Sequence, residues 1–191
     1  MQWQGARLTL WVVLAGLLTL VPAQVLDFVE VPCMSFDPKQ FRECVVRPTL
    51  KMLHPEIEYS LAAEELLMLT AAHESHLGTY LVQKGGPALG VYQMEPVTHR
   101  DLWTNFIKPG SLLNHRLKLL ISLELTDYNN LTGNLFYATA MARVHYFRVK
   151  EPLPDVTPNA LAKYWKKHWN TELGKGTVNE ALANYARYVN G

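Results

Sequence analysis

Glu74 is the residue of this chain with the clearest chemical prospect. It stands in the apolar-periodic stretch 60–82, where Leu67, Thr70, Ala71, Glu74, Leu77, Gly78 and Leu81 recur at the spacing of one helical face, and it is the only charge on that face. A carboxyl group turned toward apolar neighbours is poorly solvated, so its ionised form is disfavoured and its pKa rises. Such a group holds a proton near neutral pH and can give it to a leaving oxygen, the step that cleavage of a glycosidic bond needs. A glutamate that reaches solvent from a helix end fits the same periodicity, so spacing alone does not decide between the two.

The flanking histidines open a second chemistry. In His73-Glu74-Ser75-His76 the imidazoles are three apart and would share a face, but the metalloprotease pattern is His-Glu-x-x-His, one residue longer. His73 is therefore read as a polar residue beside the catalytic helix, and neither a metal nor another cofactor is expected. The two cysteines, Cys33 and Cys44, cannot build a zinc site by themselves and form no Cys-x-x-Cys pair. In an exported protein they would make one disulfide that pins the N-terminal arm; in a cytosolic or virion protein they would be small buried side chains.

The elements that must hold Glu74 in place read as helices. Asp37-Pro38 and Thr157-Pro158 each set a capping residue before a proline at the first helical position. Thr177 with Glu180 makes a capping box that opens a last helix through Leu182, Tyr185 and Tyr188. Apolar-periodic stretches at 60–82, 97–107, 112–125 and 134–148 lie between these signals, Gly85-Gly86-Pro87 and Gly90 interrupt them, and 150–154 is an extended connector. No alternating run is long enough to build a sheet, so the expected fold class is mostly α. At 191 residues the chain suffices for one sizeable core and is short for two enzymatic domains.

Composition excludes further classes. With 49% hydrophobic and 18% charged residues the chain is globular and not disordered. Its net charge is +1 and its basic residues are spread out apart from Lys166-Lys167-His168, so no nucleic-acid footprint is visible. The segment 8–26 carries no charge, follows Arg7 and ends near Val21-Pro22-Ala23, the layout of a signal peptide cut after Ala23. A retained anchor is the alternative, since the stretch is about the minimum that spans a bilayer. The expected organisation is a signal peptide or membrane anchor at 1–23, an N-terminal arm and first helix at 24–58, and the main domain at 59–191.

Three groups of residues carry a family resemblance. Glu74-Ser75 is followed by Gly90-Val91-Tyr92-Gln93-Met94-Glu95-Pro96 with Thr98 beyond, and later by Trp169-Asn170, Gly174, Gly176 and Val178 leading into a helix that ends in Tyr185. In these the chain resembles the soluble lytic transglycosylases of the lysozyme-like superfamily. Their pattern is a Glu-Ser, a Gly-Leu-Met-Gln-like segment with a proline and a threonine, and a Tyr-Asn before a glycine-rich turn and a helix. Each motif is weak by itself, and their conjunction in order is what is specific. The segment 137–154 and Tyr164-Trp165-Lys166-Lys167-His168 are most similar to the phage-associated versions.

The resemblance implies a lysozyme-like helical domain with a substrate cleft, acting on the bond between N-acetylmuramic acid and N-acetylglucosamine in peptidoglycan. It implies Glu74 as acid and then base, and Ser75 as the residue that orients substrate or carboxylate. Gln93 and Met94 would line the sugar cleft with Tyr92 at its wall, Trp169 would stack on sugar, and Asn170 would close the cleft from the C-terminal side. The implied partners are peptidoglycan glycan strands, a membrane through residues 8–26 where that segment is retained, and phage-particle proteins where the chain is part of a virion. The implied location is the periplasm or cell envelope, or the virion.

Two departures bear on catalysis. The family's tyrosine before the asparagine is Trp169 here, which loses a phenol, and its Leu-Met pair is Val91-Tyr92. Members of the family manage with one carboxyl because the muramic N-acetyl group or 6-hydroxyl acts as internal nucleophile and leaves 1,6-anhydro ends. Hydrolytic lysozymes use a second carboxylate, for which Glu95 and Asp101 are the candidates. The non-enzymatic alternative is a structural component of a phage particle that keeps the fold; Trp169 favours it and Glu74 opposes it.

Overall fold

Side-chain caps decide where most of the helices begin. In the computed structural model, which describes residues 35–172 and 174–191, Asp37, Ser60, Ser111, Thr126, Asn134, Thr157 and Thr177 each accept a hydrogen bond from a backbone N–H three residues on, the donor that a first helical turn leaves unpaired. The capping box of Thr177 and Glu180 is complete in both directions.

The resulting chain of helices is mostly α. Helix α1 covers 38–52, with a wider π-type stretch at Phe41–Val46; α2 is Leu61–Ser75; α3 covers 96–106; α4 is Leu112–Leu120; α5 is Asp127–Gly133; α6 is Leu135–Phe147; α7 covers 158–170; α8 is Val178–Val189. Among the described residues the only β pairing is two isolated bridges, Val82 to Leu89 and Leu89 to Met94. None of these helices is long and apolar enough to cross a membrane. The segment 1–23, read above as a signal peptide or anchor, and Cys33 lie outside the described residues; Cys44 is exposed on α1.

Helix α2 is the centre of the fold. Every residue from Leu66 to Ala72 is buried, as expected of a helix packed on all sides, and α1, α6, α7 and α8 surround it. The single apolar stripe expected on this helix is therefore not what holds it. Phe41, Val46 and Leu50 of α1 share one cluster with Leu67, Tyr146, Trp165 and Tyr185, so the first helix belongs to the same packed unit, Pro32–Gly191, as the rest. A second cluster gathers Met94, Leu102, Leu113, Leu117, Tyr137 and Met141 around α3, α4 and α6.

The expected helix 60–82 ends seven residues early, at Ser75. His76 and Leu77 take left-handed backbone at φ 52° and 53°, Gly78 follows at φ 88°, and the Leu77 N–H bonds back to the Ala71 carbonyl at 3.0 Å. The Phe36 ring lies against Gly78, where any Cβ would meet it at 2.4 Å, and the Phe36 N–H binds the Leu77 carbonyl. The N-terminal arm thus packs against the turn that ends the helix. Helix α4 likewise stops at Leu120, not 125, and α5 was not foreseen. Asn130 of α5 is buried and bonds Ser122, Leu125 and Thr126, which ties down the intervening turn.

Candidate functional site

The early end of α2 shapes a groove. Because the chain leaves the helix at Ser75, residues 79–96 fold back beside it, and 169–171 and 174–176 at the end of α7 face them. Between them runs a groove of about 740 Å³, lined by Glu74, Tyr80, Gln93, Met94, Trp169 and Asn170, among others.

Glu74 lies in this groove. It is partly buried, and its carboxyl is largely shielded from water; this burial pushes its pKa up to about 7, opposed only by a hydrogen bond from the Trp165 Nε1–H to Oε1 at 3.0 Å. Trp165 itself is fully buried. The carboxyl therefore keeps its proton to higher pH than an ordinary glutamate, the condition for a general acid.

Neither Ser75, expected to orient substrate or carboxylate, nor Tyr92, expected at the cleft wall, lines the groove. Ser75 is 0% exposed, and its hydroxyl lies 2.6 Å from the Val91 carbonyl and 3.1 Å from that of Ala71, and accepts from the Gly78 N–H. It fastens the end of α2 to the segment that carries Gln93. Tyr92 is 1% exposed, with its hydroxyl 3.2 Å from that of Thr139 inside the core. Tyr92 thus belongs to the core cluster around α2, while Gln93 and Met94 beside it line the groove.

The other expected residues meet. Gln93, at φ 47°, donates through Nε2 to the Gly90 carbonyl at 2.8 Å. Gly90 is where the chain most needs glycine: its φ is 75°, and a Cβ would strike the Leu131 carbonyl oxygen at 1.9 Å. Trp169 packs on Tyr146 and His145, with centroids 5.3 and 4.7 Å away. The Asn170 side-chain oxygen accepts from Lys166 Nζ, which also reaches the Gly174 carbonyl and so holds the turn after α7.

Four participants were missed. Tyr80 is 54% exposed at the groove and is the open aromatic face there. Trp165 is core and also the partner of Glu74. His145 lines the groove with its Nε2 3.0 Å from the His168 carbonyl, which makes that nitrogen the protonated one; burial lowers its pKa to about 4, so it is neutral there. Tyr146 stands behind Trp169 with its hydroxyl 2.8 Å from that of Thr70, and its pKa is pushed well up by burial. Of these only Tyr80 has a local signal, a lone aromatic just past the helix end, and the overlong helix concealed it.

The candidate second carboxylates part ways. Glu95 is exposed at the groove. Asp101 bonds Asn105 and Arg148, which hold it below the usual carboxylate range. The histidines considered for a metal have separate partners: His73 packs on Trp165 and its Nδ1 lies 3.2 Å from Asn184 Nδ2, while His76 stacks on Tyr188. Among the described residues no group of three His, Cys, Asp or Glu could hold a metal.

The Trp165 bond yields a test of the site. A donor to a carboxylate favours the ionised form, so Trp165→Phe, which keeps a ring and removes the N–H, is expected to raise the Glu74 pKa by about one unit. Where activity depends on protonated Glu74, the alkaline limb of its pH profile moves up with it, and a carbon-13 titration of the carboxyl reads the same shift directly. An unmoved titration would remove Trp165 from the site. Compared with protein-family models, with curated proteins and with solved structures, the chain matches none.

Proposed function

We propose that this chain is a peptidoglycan-cleaving enzyme with a lysozyme-like domain, in which Glu74 protonates the oxygen between N-acetylmuramic acid and N-acetylglucosamine. The observation that carries the reading is the shielded Glu74 carboxyl in an open groove, with a pKa of about 7. Tyr80 and Trp169 offer ring faces to pyranoses, and Gln93 and Asn170 offer amides to N-acetyl groups. After Glu74 gives its proton to the leaving 4-oxygen, the muramyl 6-hydroxyl attacks C1 and returns a proton to Glu74, leaving a 1,6-anhydro end; the muramic N-acetyl group can share the nucleophilic role. Glu95, exposed at the groove, supports the hydrolytic alternative, in which water takes that place. Asp101, engaged by Asn105 and Arg148, does not serve that alternative, which leaves Glu95 as its second carboxylate.

Mass analysis of fragments released from purified walls tests this. Anhydro ends support the lyase and reducing ends gaining one water support the hydrolase. Walls left uncut support the non-catalytic reading, a structural part of a phage particle, for which the loss of a phenol at Trp169 is the favouring feature.

A further inference from the structure

A second concavity adjoins the groove. It holds about 450 Å³ and is lined by His73, Glu180, Ala183 and Asn184, while Lys175 and Gly176 belong to both linings. The turn after α7 is therefore the divide between the two. The volume falls within the range of small-ligand sites, about 300–1,000 Å³. His73 precedes Glu74 on α2, and both touch Trp165: the imidazole packs on the indole with centroids 4.2 Å apart, and the indole N–H bonds the Glu74 carboxyl. The concavity thus begins beside the proposed acid.

The divide is low at Gly176. A Cβ there would come within 2.8 Å of both His73 Nε2 and the Trp165 ring, and within 3.1 Å of Asn170 Nδ2. Lacking one, the turn sits down on these groups, and at this point the divide is main chain only. His73 lies on the side of the concavity and Asn170 on that of the groove.

The polar groups around the concavity are of kinds that a peptide can use. Lys175 is exposed on the turn and offers an ammonium to a carboxylate. Glu180 offers a carboxylate to N–H groups; the Thr177 hydroxyl and N–H both donate to its Oε2 at 2.8 Å and hold it below the ordinary carboxylate range. Asn184, whose Nδ2 lies 3.2 Å from His73 Nδ1, presents an amide that pairs with other amides. In the proposed substrate a chain of amides and carboxylates hangs from the lactyl ether at C3 of the muramic unit, the same ring whose C1 is attacked. We propose that this concavity holds the peptide branch of the muramic unit being cleaved, the branch crossing the turn at Gly176, so that strands carrying their peptides are the preferred substrate. This rests on the reading of the groove as one that cuts peptidoglycan.

Two measurements on the full chain test it. Glycan strands with their peptides in place are expected to be cleaved with a kcat/KM roughly tenfold above that of the same strands stripped by an amidase. Ala183→Trp, which puts a large ring into the concavity from an exposed position on α8, and Lys175→Glu, which reverses a charge on the exposed turn, should each bring that ratio close to one. Ligand-observed NMR then compares N-acetylmuramyl-L-alanyl-D-glutamate with N-acetylmuramic acid, neither of which has a bond to cut. The muramyl peptide is expected to bind roughly tenfold tighter, and both variants to remove the difference. Equal cleavage of the two kinds of strand, equal binding of the two probes, or a preference that survives in both variants would overturn the proposal. Strands left uncut in either form, with the muramyl peptide still bound tighter and that advantage lost in the variants, would instead overturn the cleavage reading and support the peptide site.

Discussion

Clearing of purified cell wall is expected to vanish in Glu74→Gln, with a fall of roughly a thousandfold or more, because the amide keeps the shape of the side chain and has no proton to give. In the native chain, activity should decline as pH rises through about 7, where the carboxyl loses the proton it must donate. The same substitution should act on stability in the opposite sense. The Glu74 pKa in the folded chain lies above its ordinary value of 4.5, so the folded state binds the proton more tightly than the unfolded one. Stability linked to this group is fully present below pH 4.5 and is lost as pH rises through about 7. Above that, native Glu74 is a buried charge, which costs on the order of 3 kcal/mol from a shift of this size. Glu74→Gln should therefore melt higher than the native chain at pH 8 and alike at pH 4. Equal clearing by both chains, with no pH-dependent gap in melting, would remove Glu74 from the chemistry and from its shielded setting together.

Loss of stability should be largest at Glu64, on the first turn of α2. Its side chain is 0% exposed and accepts from Arg47 Nε at 2.9 Å, Arg47 Nη2 at 2.8 Å and the Tyr59 hydroxyl at 3.0 Å, with Arg42 nearby. Burial alone would push its pKa up; the bonds from Arg47 and Tyr59 outweigh it and hold Glu64 below its ordinary value. Its neighbour Glu65 takes Arg42 and the Tyr185 hydroxyl, so one network ties α1, α2 and α8. Glu64→Ala leaves guanidinium groups without their acceptor and is expected to cost about 3 kcal/mol, the lower end for a broken buried pair because Arg47 is partly solvated. Urea unfolding at pH 7 measures it. The sign with pH is the reverse of Glu74: a lowered pKa stabilises above 4.5 and the contribution fades as pH falls below that value. A cost under about 1 kcal/mol would show that the network adds little beyond surface ion pairs.

Glu74 and Glu64 look alike in the sequence, two glutamates in one apolar helix. What separates them is partners. Glu64 meets arginines 17 and 22 residues away, while Glu74 meets an indole 91 residues away and, among the described residues, no cation. No spacing rule reaches across such distances, so the ion pair and the raised pKa became visible only with the helices packed.

The amino-acid order by itself determined the helical class and most helix starts, because a cap is made within three residues: Asp37, Thr157 and the Thr177–Glu180 box are local objects. It also marked Glu74, Gln93, Met94, Trp169 and Asn170, which the fold brings to one groove. Only the tertiary structure showed that α2 stops at Ser75, with Phe36 packed against the turn that follows, and that Ser75 and Tyr92 turn inward while Tyr80 turns out. The physical reason is that a helix end without a capping proline or glycine at the right place is set by what packs against it, and the direction of every side chain after it follows from that end.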